Sequence, residues 1–340
     1  MKIRAGIIGF GYWGPNLARN FNSAPEVRLL KIADKNASRC ALAQRNFPQL
    51  KVTTQPDELI KAPDIDLVVI ATPVSTHFEL AMKALENGKH VWIEKPISSS
   101  SEEAIKIVDK AQQKNLIVMV DHTYLFTGAV KKIKETLTEG QLGKLYYYDS
   151  VRVNLGLFQH DVNVVWDLAT HDFAIMNFLL ESPARAVSAI GASHISDLED
   201  VGYITVYFDN NLTGHLHVNW LSPVKIRKTL IGGSKKMLVW NDLEKEEAIK
   251  IYDKGVDVKT EKGAYDILAE YRVGDIISPV VPQTEALKLE VDYLIECIEA
   301  GKKPHNDGLA GLEVVKLLEA ADLSLKNKGA QIELDGVEKK

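Results

Sequence analysis

The chain has 340 residues, 46% hydrophobic and 26% charged, with 46 acidic against 41 basic side chains and a formal charge of -5. At roughly 150 residues per domain this length predicts two domains with a core each, and the mild acidity argues against a nucleic-acid or anionic-membrane surface as the main partner. Two cysteines, Cys40 and Cys297, write no disulfide framework, the apolar runs fall short of a bilayer span and the start carries no signal-like apolar run, so a cytoplasmic location is expected.

In chain order, Ile3–Ile8 reads as a strand, 15–24 as a helix and Val27–Ala33 as a second strand. Residues 66–72, 90–93 and 116–120 are further strands, with helices at 76–87 and 102–114 between them. Apolar runs without alternation fit parallel strands covered on both faces, and the strand–helix rhythm predicts a doubly wound sheet over residues 1–123. The rhythm changes near residue 122. After a helix at 128–139, strands are predicted at 146–153, 186–192, 203–208, 213–220, 227–231 and 237–240, with hairpin turns at 209–211 and 232–234. Helices at 283–300 and Gly308–Lys326 close the chain. Residues 124–340 therefore read as an α+β domain with an open, mainly antiparallel sheet.

Gly9-Phe10-Gly11-Tyr12-Trp13-Gly14 lies between a predicted strand and a predicted helix. There the first glycine permits a tight turn, the second lets backbone approach a pyrophosphate, and the third permits close helix–strand packing. Pro15 suits the first helical turn, whose free N–H groups would face phosphates. Asp34 ends the second strand, where a carboxylate would accept from ribose hydroxyls and repel a 2′-phosphate, favouring NAD over NADP. Lys35 and Arg39 stand close enough in sequence to soften that preference.

Lys95 follows the strand at 90–93 directly and precedes Pro96, at the end of the sheet where ligands bind. It could stabilise charge developing on a reacting oxygen, or be an ordinary surface lysine at a strand terminus. Asp167 and His171 are four apart, so on a helix they share a face; the imidazole could take a hydroxyl proton while the carboxylate orients it. Two other readings fit the pair: a half-buried structural histidine, or metal ligation by Asp167, His171 and His160. His215 and His217 share one face of a predicted strand and read as part of an oligomer face rather than a metal pair.

The glycine loop, Glu94-Lys95-Pro96 and the Asp167–His171 pair, set in a two-domain rhythm, together resemble the Gfo/Idh/MocA oxidoreductase family. Ala71-Thr72-Pro73-Val74-Ser75-Thr76-His77 and the closing 308–315 segment extend the likeness over essentially the whole chain. The resemblance implies a Rossmann domain followed by an α/β domain whose open sheet assembles a homodimer or homotetramer. It implies that Lys95, Asp167 and His171 are catalytic, that Ala71, Thr72, Pro73 and His77 border the cofactor, and that Glu94 lies toward the nicotinamide. It implies oxidation or reduction of a secondary alcohol of a sugar or cyclitol without a catalytic metal. The stretch from Asn154 to Asn163 ahead of Trp166-Asp167 looks like a group linked to nucleotide sugars, including 3-dehydrogenases of UDP-N-acetylglucosamine type. On that likeness Asn154, Asp161, Asn163 and Trp166 join Lys95, Asp167 and His171 as expected substrate contacts. An inositol or free-monosaccharide dehydrogenase and a non-catalytic regulator that binds NAD or a sugar are the alternatives.

Overall fold

The computed structural model describes residues 2–156, 158, 162–259 and 268–334. The opening segment runs β1 (Ile3–Ile8), α1 (Gly14–Ser23), β2 (Val27–Ala33), α2 (Ala37–Asn46), β3 (Lys51–Thr53), α3 (Pro56–Ile60), β4 (Leu67–Ile70), α4 (His77–Glu86), β5 (His90–Glu94), α5 (Ser101–Lys114) and β6 (Val118–Asp121). The strands form one parallel sheet in the order β3-β2-β1-β4-β5-β6. This is the doubly wound arrangement, and the strand order reverses between β1 and β4, where such sheets open a ligand crevice. Leu67, Val68, Val69 and Ile70 are all buried, as expected of a strand covered on both faces. The serine run 98–101 ends in an N-cap: the Ser100 hydroxyl accepts from the Glu103 N–H, and the Glu103 carboxylate accepts from the Ser99 N–H.

The chain continues through α6 (Gly128–Thr138), β7 (Leu145–Leu155), a π-turn at Val165–Ala169, α7 (Thr170–Leu179), β8 (Ala184–Ala192), β9 (Val201–Phe208), β10 (Thr213–Asn219), β11 (Leu221–Gly233), β12 (Met237–Asn241), β13 (Ile249–Lys259) and β14 (Leu268–Ile277). It closes with α8 (Ala286–Ala300), α9 (Gly308–Lys326) and β15 (Ile332–Glu333). The second sheet has the order β14-β13-β12-β11-β7-β10-β9-β8-β15; β7 and β10 pair in parallel and the other neighbours are antiparallel. One face buries Val187, Ile204, Leu216 and Val218, in a unit whose core also takes in Phe173, Ile175 and Met176 of α7. The other face leaves Ile190, Tyr203 and Ile226 partly exposed, and Tyr203 stacks on His217 at 4.5 Å. The 209–211 hairpin turn forms as expected, with Asn210 and Asn211 at positive φ, a conformation asparagine tolerates better than most residues.

The compact units are not contiguous in sequence. Residues up to Phe126 group with Thr284–Lys316, and Thr127–Gln283 with the residues from Leu317 onward. The linear division at 123/124 therefore assigns α8 and the first half of α9 differently from the structure. The anchors of this return are specific. Glu285 binds both guanidinium nitrogens of Arg19 at 3.0 and 2.5 Å and the Asn20 amide at 3.1 Å, and the buried Asn306 amide donates to the Val120 carbonyl at 2.8 Å. Strand β11 begins earlier than predicted, its pairing with β7 shifting register between Leu221 and Ile226.

Candidate functional site

The glycine loop divides its labour among its glycines. Gly9 has φ +101°, and a Cβ there would lie 2.2 Å from the Ala71 carbonyl oxygen; one on Gly14 would lie 2.4 Å from that of Gly9. These two are glycines because backbone crosses backbone. A Cβ on Gly11 would meet nothing within 4 Å, so that position presents bare backbone to open space. Asp34 fixes the loop: one carboxylate oxygen accepts from the Phe10 N–H at 2.7 Å, the other from the Asn36 N–H at 2.8 Å. Pro15 stands in the first turn of α1, and the Trp13 carbonyl accepts from the Asn16 and Leu17 N–H groups at 2.9 and 3.2 Å.

A cavity of about 430 Å³ opens beside this loop, lined by Gly9, Gly11, Asp34, Lys35, Thr72 and Pro73, with Ala71 also on its wall. A carboxylate at the end of β2, bare backbone at Gly11 and a helix N-terminus suit a dinucleotide's ribose and pyrophosphate. Sequence reading missed several residues of the far wall. Lys83 pairs there with Glu79 at 2.8 Å and Asp57 at 3.5 Å, a grouping only the fold brings together. Other expected cofactor residues sit elsewhere. The Phe10 ring is buried against Phe47, Tyr12 is 87% exposed, and Arg39 is exposed and absent from the cavity wall. His77 is buried, its ring spanning the Pro96 and Thr72 carbonyls at 2.9 and 2.8 Å, so it braces the loops that carry its neighbours. Burial holds its pKa below the usual imidazole value, its two carbonyl partners opposing.

Glu94 ends β5 in register with Asp121, the last residue of β6, and half-buried Lys95 follows it. Burial, then the neighbouring Asp121 charge, pushes the Glu94 carboxyl well above the usual range. His122 is fully enclosed, and desolvation lowers it to about 4, so its ring is neutral near pH 7.

In the second unit the chain enters its π-turn through Asn163, whose side-chain oxygen accepts from the Val165 and Trp166 N–H groups at 3.1 Å each. The Asn163 amide donates to Glu199 and Asp322, and the Trp166 indole donates to Asp322 at 2.7 Å. The polar atoms of these two expected substrate contacts are therefore engaged within the fold. Asp167 lies inside the π-turn and His171 in the first turn of α7, both half-buried. The Trp220 indole donates to Asp167 at 3.1 Å, and the next acid, Asp172, holds the buried Arg152 at 2.7 Å and the Ser150 hydroxyl at 2.7 Å. Trp220 and Arg152 escaped sequence reading because their sites lie tens of residues away along other strands. Asn154 is half-buried near the end of β7, and His160 and Asp161 lie outside the described residues. The π-turn breaks helical regularity where Asp167 stands, as such turns often do at functional positions.

The described residues contain no helix long and apolar enough to cross a membrane. The model of an oxidoreductase family with an NAD-binding Rossmann fold (GFO_IDH_MocA) matches residues 3–122, and that of the GFO/IDH/MocA C-terminal domain matches residues 130–239. The chain is 26% identical to scyllo-inositol 2-dehydrogenase (NAD(+)) of Bacillus subtilis, over 98% of this chain and 97% of that protein. It is also 26% identical to UDP-N-acetylglucosamine 3-dehydrogenase of Acidithiobacillus ferrooxidans, over 93% and 95%. Among solved structures, that enzyme's superposes with a TM-score of 0.81 at 23% identity over 96% and 99% of the two chains. Levoglucosan dehydrogenase in complex with NADH gives 0.83 at 21% identity over 98% and 99%.

Proposed function

The chain belongs to the GFO/IDH/MocA family of NAD-binding oxidoreductases, and from that membership we propose that it transfers hydride between a nicotinamide dinucleotide and a secondary alcohol of a nucleotide sugar, at the C3 hydroxyl of a UDP-N-acetylhexosamine. The observation that carries the dinucleotide half is the glycine loop locked to Asp34 beside an open cavity, with bare backbone at Gly11. Asp34 favours NAD, because its fixed carboxylate would repel a 2′-phosphate. Lys35 on the same wall is the group that could moderate this.

The dinucleotide, when bound, accepts or returns the hydride. His171 takes the hydroxyl proton in oxidation and returns it in reduction, and Lys95 stabilises charge on the reacting oxygen. Asp167, held by the Trp220 indole, orients the imidazole or meets a neighbouring hydroxyl. The similarity to UDP-N-acetylglucosamine 3-dehydrogenase supports the nucleotide-sugar reading. The similarity to scyllo-inositol 2-dehydrogenase, over nearly the full length of both chains, favours a second reading with a free cyclitol substrate. The partly exposed apolar positions on the second sheet support assembly through it into a dimer or tetramer.

Nicotinamide absorbance followed against UDP-sugars, dTDP-sugars, inositols and free hexoses, with NAD and NADP in parallel, tests the proposal. Turnover of a UDP-N-acetylhexosamine with NAD is the expected result; turnover of free polyols alone overturns the nucleotide-sugar reading. Dinucleotide binding without turnover of any class would make the chain a sensor instead.

A further inference from the structure

Behind the glycine loop lies a group of acids that the proposed chemistry does not use. Asp121 and Glu94 end neighbouring parallel strands in register, and Glu290 of α8 enters from the returning segment of the same unit. Both glutamates lie near enough to the Asp121 carboxyl to feel its charge. Asp121 and Glu290 are 2% and 0% exposed, so water does not neutralise this gathering of like charges.

The distribution of donors says where the charge rests. Asp121 receives two: the Trp13 indole at 3.0 Å on one oxygen and the Thr123 hydroxyl on the other. Glu290 accepts from the Asn306 amide at 2.9 Å, and the Thr123 hydroxyl that binds Asp121 acts on it as well. Glu94 has one oxygen, Oε1, with no partner at all. Burial, and then the neighbouring carboxylates, push Glu94 and Glu290 well above the usual range. The other ionisable groups interacting with the cluster are Lys95, next to Glu94 in the chain, and His122, which in turn feels His305. Within the cluster Asp121 is the acid held by two donors, which favours its keeping the charge.

One of those donors is the residue before the third glycine of the loop. Trp13 caps α1 with its carbonyl, holding the Asn16 and Leu17 N–H groups, while its indole is tied to Asp121. We propose that Asp121 is a positioning residue for the dinucleotide: by holding the Trp13 indole it fixes the N-terminal turn of α1 in the place where the pyrophosphate binds. This rests on the dinucleotide-binding reading above. The upward shifts of the two glutamates suit this role, since further ionised carboxylates would set more negative charge behind a site built for phosphates.

A double-mutant cycle on NADH affinity, read by nicotinamide fluorescence, tests it. The variants are Trp13→Phe, Asp121→Ala and the pair together, with Asp121→Asn as the conservative substitution. Loss of a hydrogen bond to a charged group is expected to weaken NADH binding by about tenfold in either single variant. The double variant should be no weaker than the singles, because both remove one interaction. In steady state the KM for the dinucleotide should rise more than kcat falls. Asp121→Asn, which keeps an acceptor for the indole, should recover most of the affinity. Wild-type affinity in Trp13→Phe, or additive losses in the pair, overturns the positioning role while leaving the dehydrogenase reading intact. A wild-type protein that binds neither NADH nor NADPH overturns both.

Discussion

Single residues carry the chemistry proposed for this chain, and their surroundings say how each is held. Lys95→Ala and His171→Ala should each lower kcat by about 10²- to 10⁴-fold, the range of general acid–base and oxyanion assistance. Wild-type NADH affinity should survive in both, because Asp34 and the glycine loop remain. Steady-state kinetics beside a fluorescence titration reads both quantities, and near-normal turnover in either variant removes that residue from the mechanism. The sequence was informative wherever a residue's neighbours along the chain decide its role. Gly9, Gly11, Gly14 and Asp34 occupy the places the motif assigns, since a tight turn and a strand end are local constraints. It was silent where partners come from afar: nothing near Asp121 announces Glu290, and nothing near Asp167 announces Trp220. Asn163 was ambiguous for a related reason, because a helix-entering asparagine and a sugar-binding one look alike in sequence, and its side chain also holds the Val165 and Trp166 N–H groups.

At the scale of elements, the segment bearing Asp167 and His171 is pinned from beneath. Asp172 and Arg152 form a pair with side chains only 2% and 5% exposed, and Ser150 completes it. Asp172→Ala would take its carboxylate from a buried guanidinium and should destabilise the protein by about 3–5 kcal/mol. Urea denaturation followed by circular dichroism measures this, and a loss below about 1 kcal/mol would mean that water reaches the arginine. Strongly patterned elements were legible: β1, β2, the 209–211 hairpin and the full extent of α9 follow from apolar runs, turn residues and periodicity. Short or mixed ones were not. Helix α2 buries only Ala43, so its sequence shows no apolar stripe, and α7 is apolar on nearly every side, which erases the helical rhythm.

Across the whole molecule, buried ionisable groups give stability opposing dependences on pH. Glu94 and Glu290 have raised folded values; the stability they contribute is full below the ordinary glutamate value near 4.5 and drains away as pH climbs toward those raised values. His77, His90 and His122 are lowered, so their contribution is present above about 6.5 and is lost as pH falls. Thermal unfolding between acid and alkaline pH should show melting temperatures declining toward both ends. Glu290→Gln, which keeps the Asn306 bond, should flatten the alkaline limb; an unchanged limb would show that Glu290 ionises without cost. The two-sheet architecture was legible because the rhythm of elements changes at 122. The membership of α8 was not, because an amphipathic helix does not record which sheet it covers. That return has a consequence for synthesis. Residues 284–316, which supply Glu285, Glu290 and Asn306 to the first unit, emerge from the ribosome only after strands β7 to β14 of the second sheet. The nascent dinucleotide unit must wait, incomplete, until those residues are made, and a truncated chain ending near 126 would leave its acid cluster open to water.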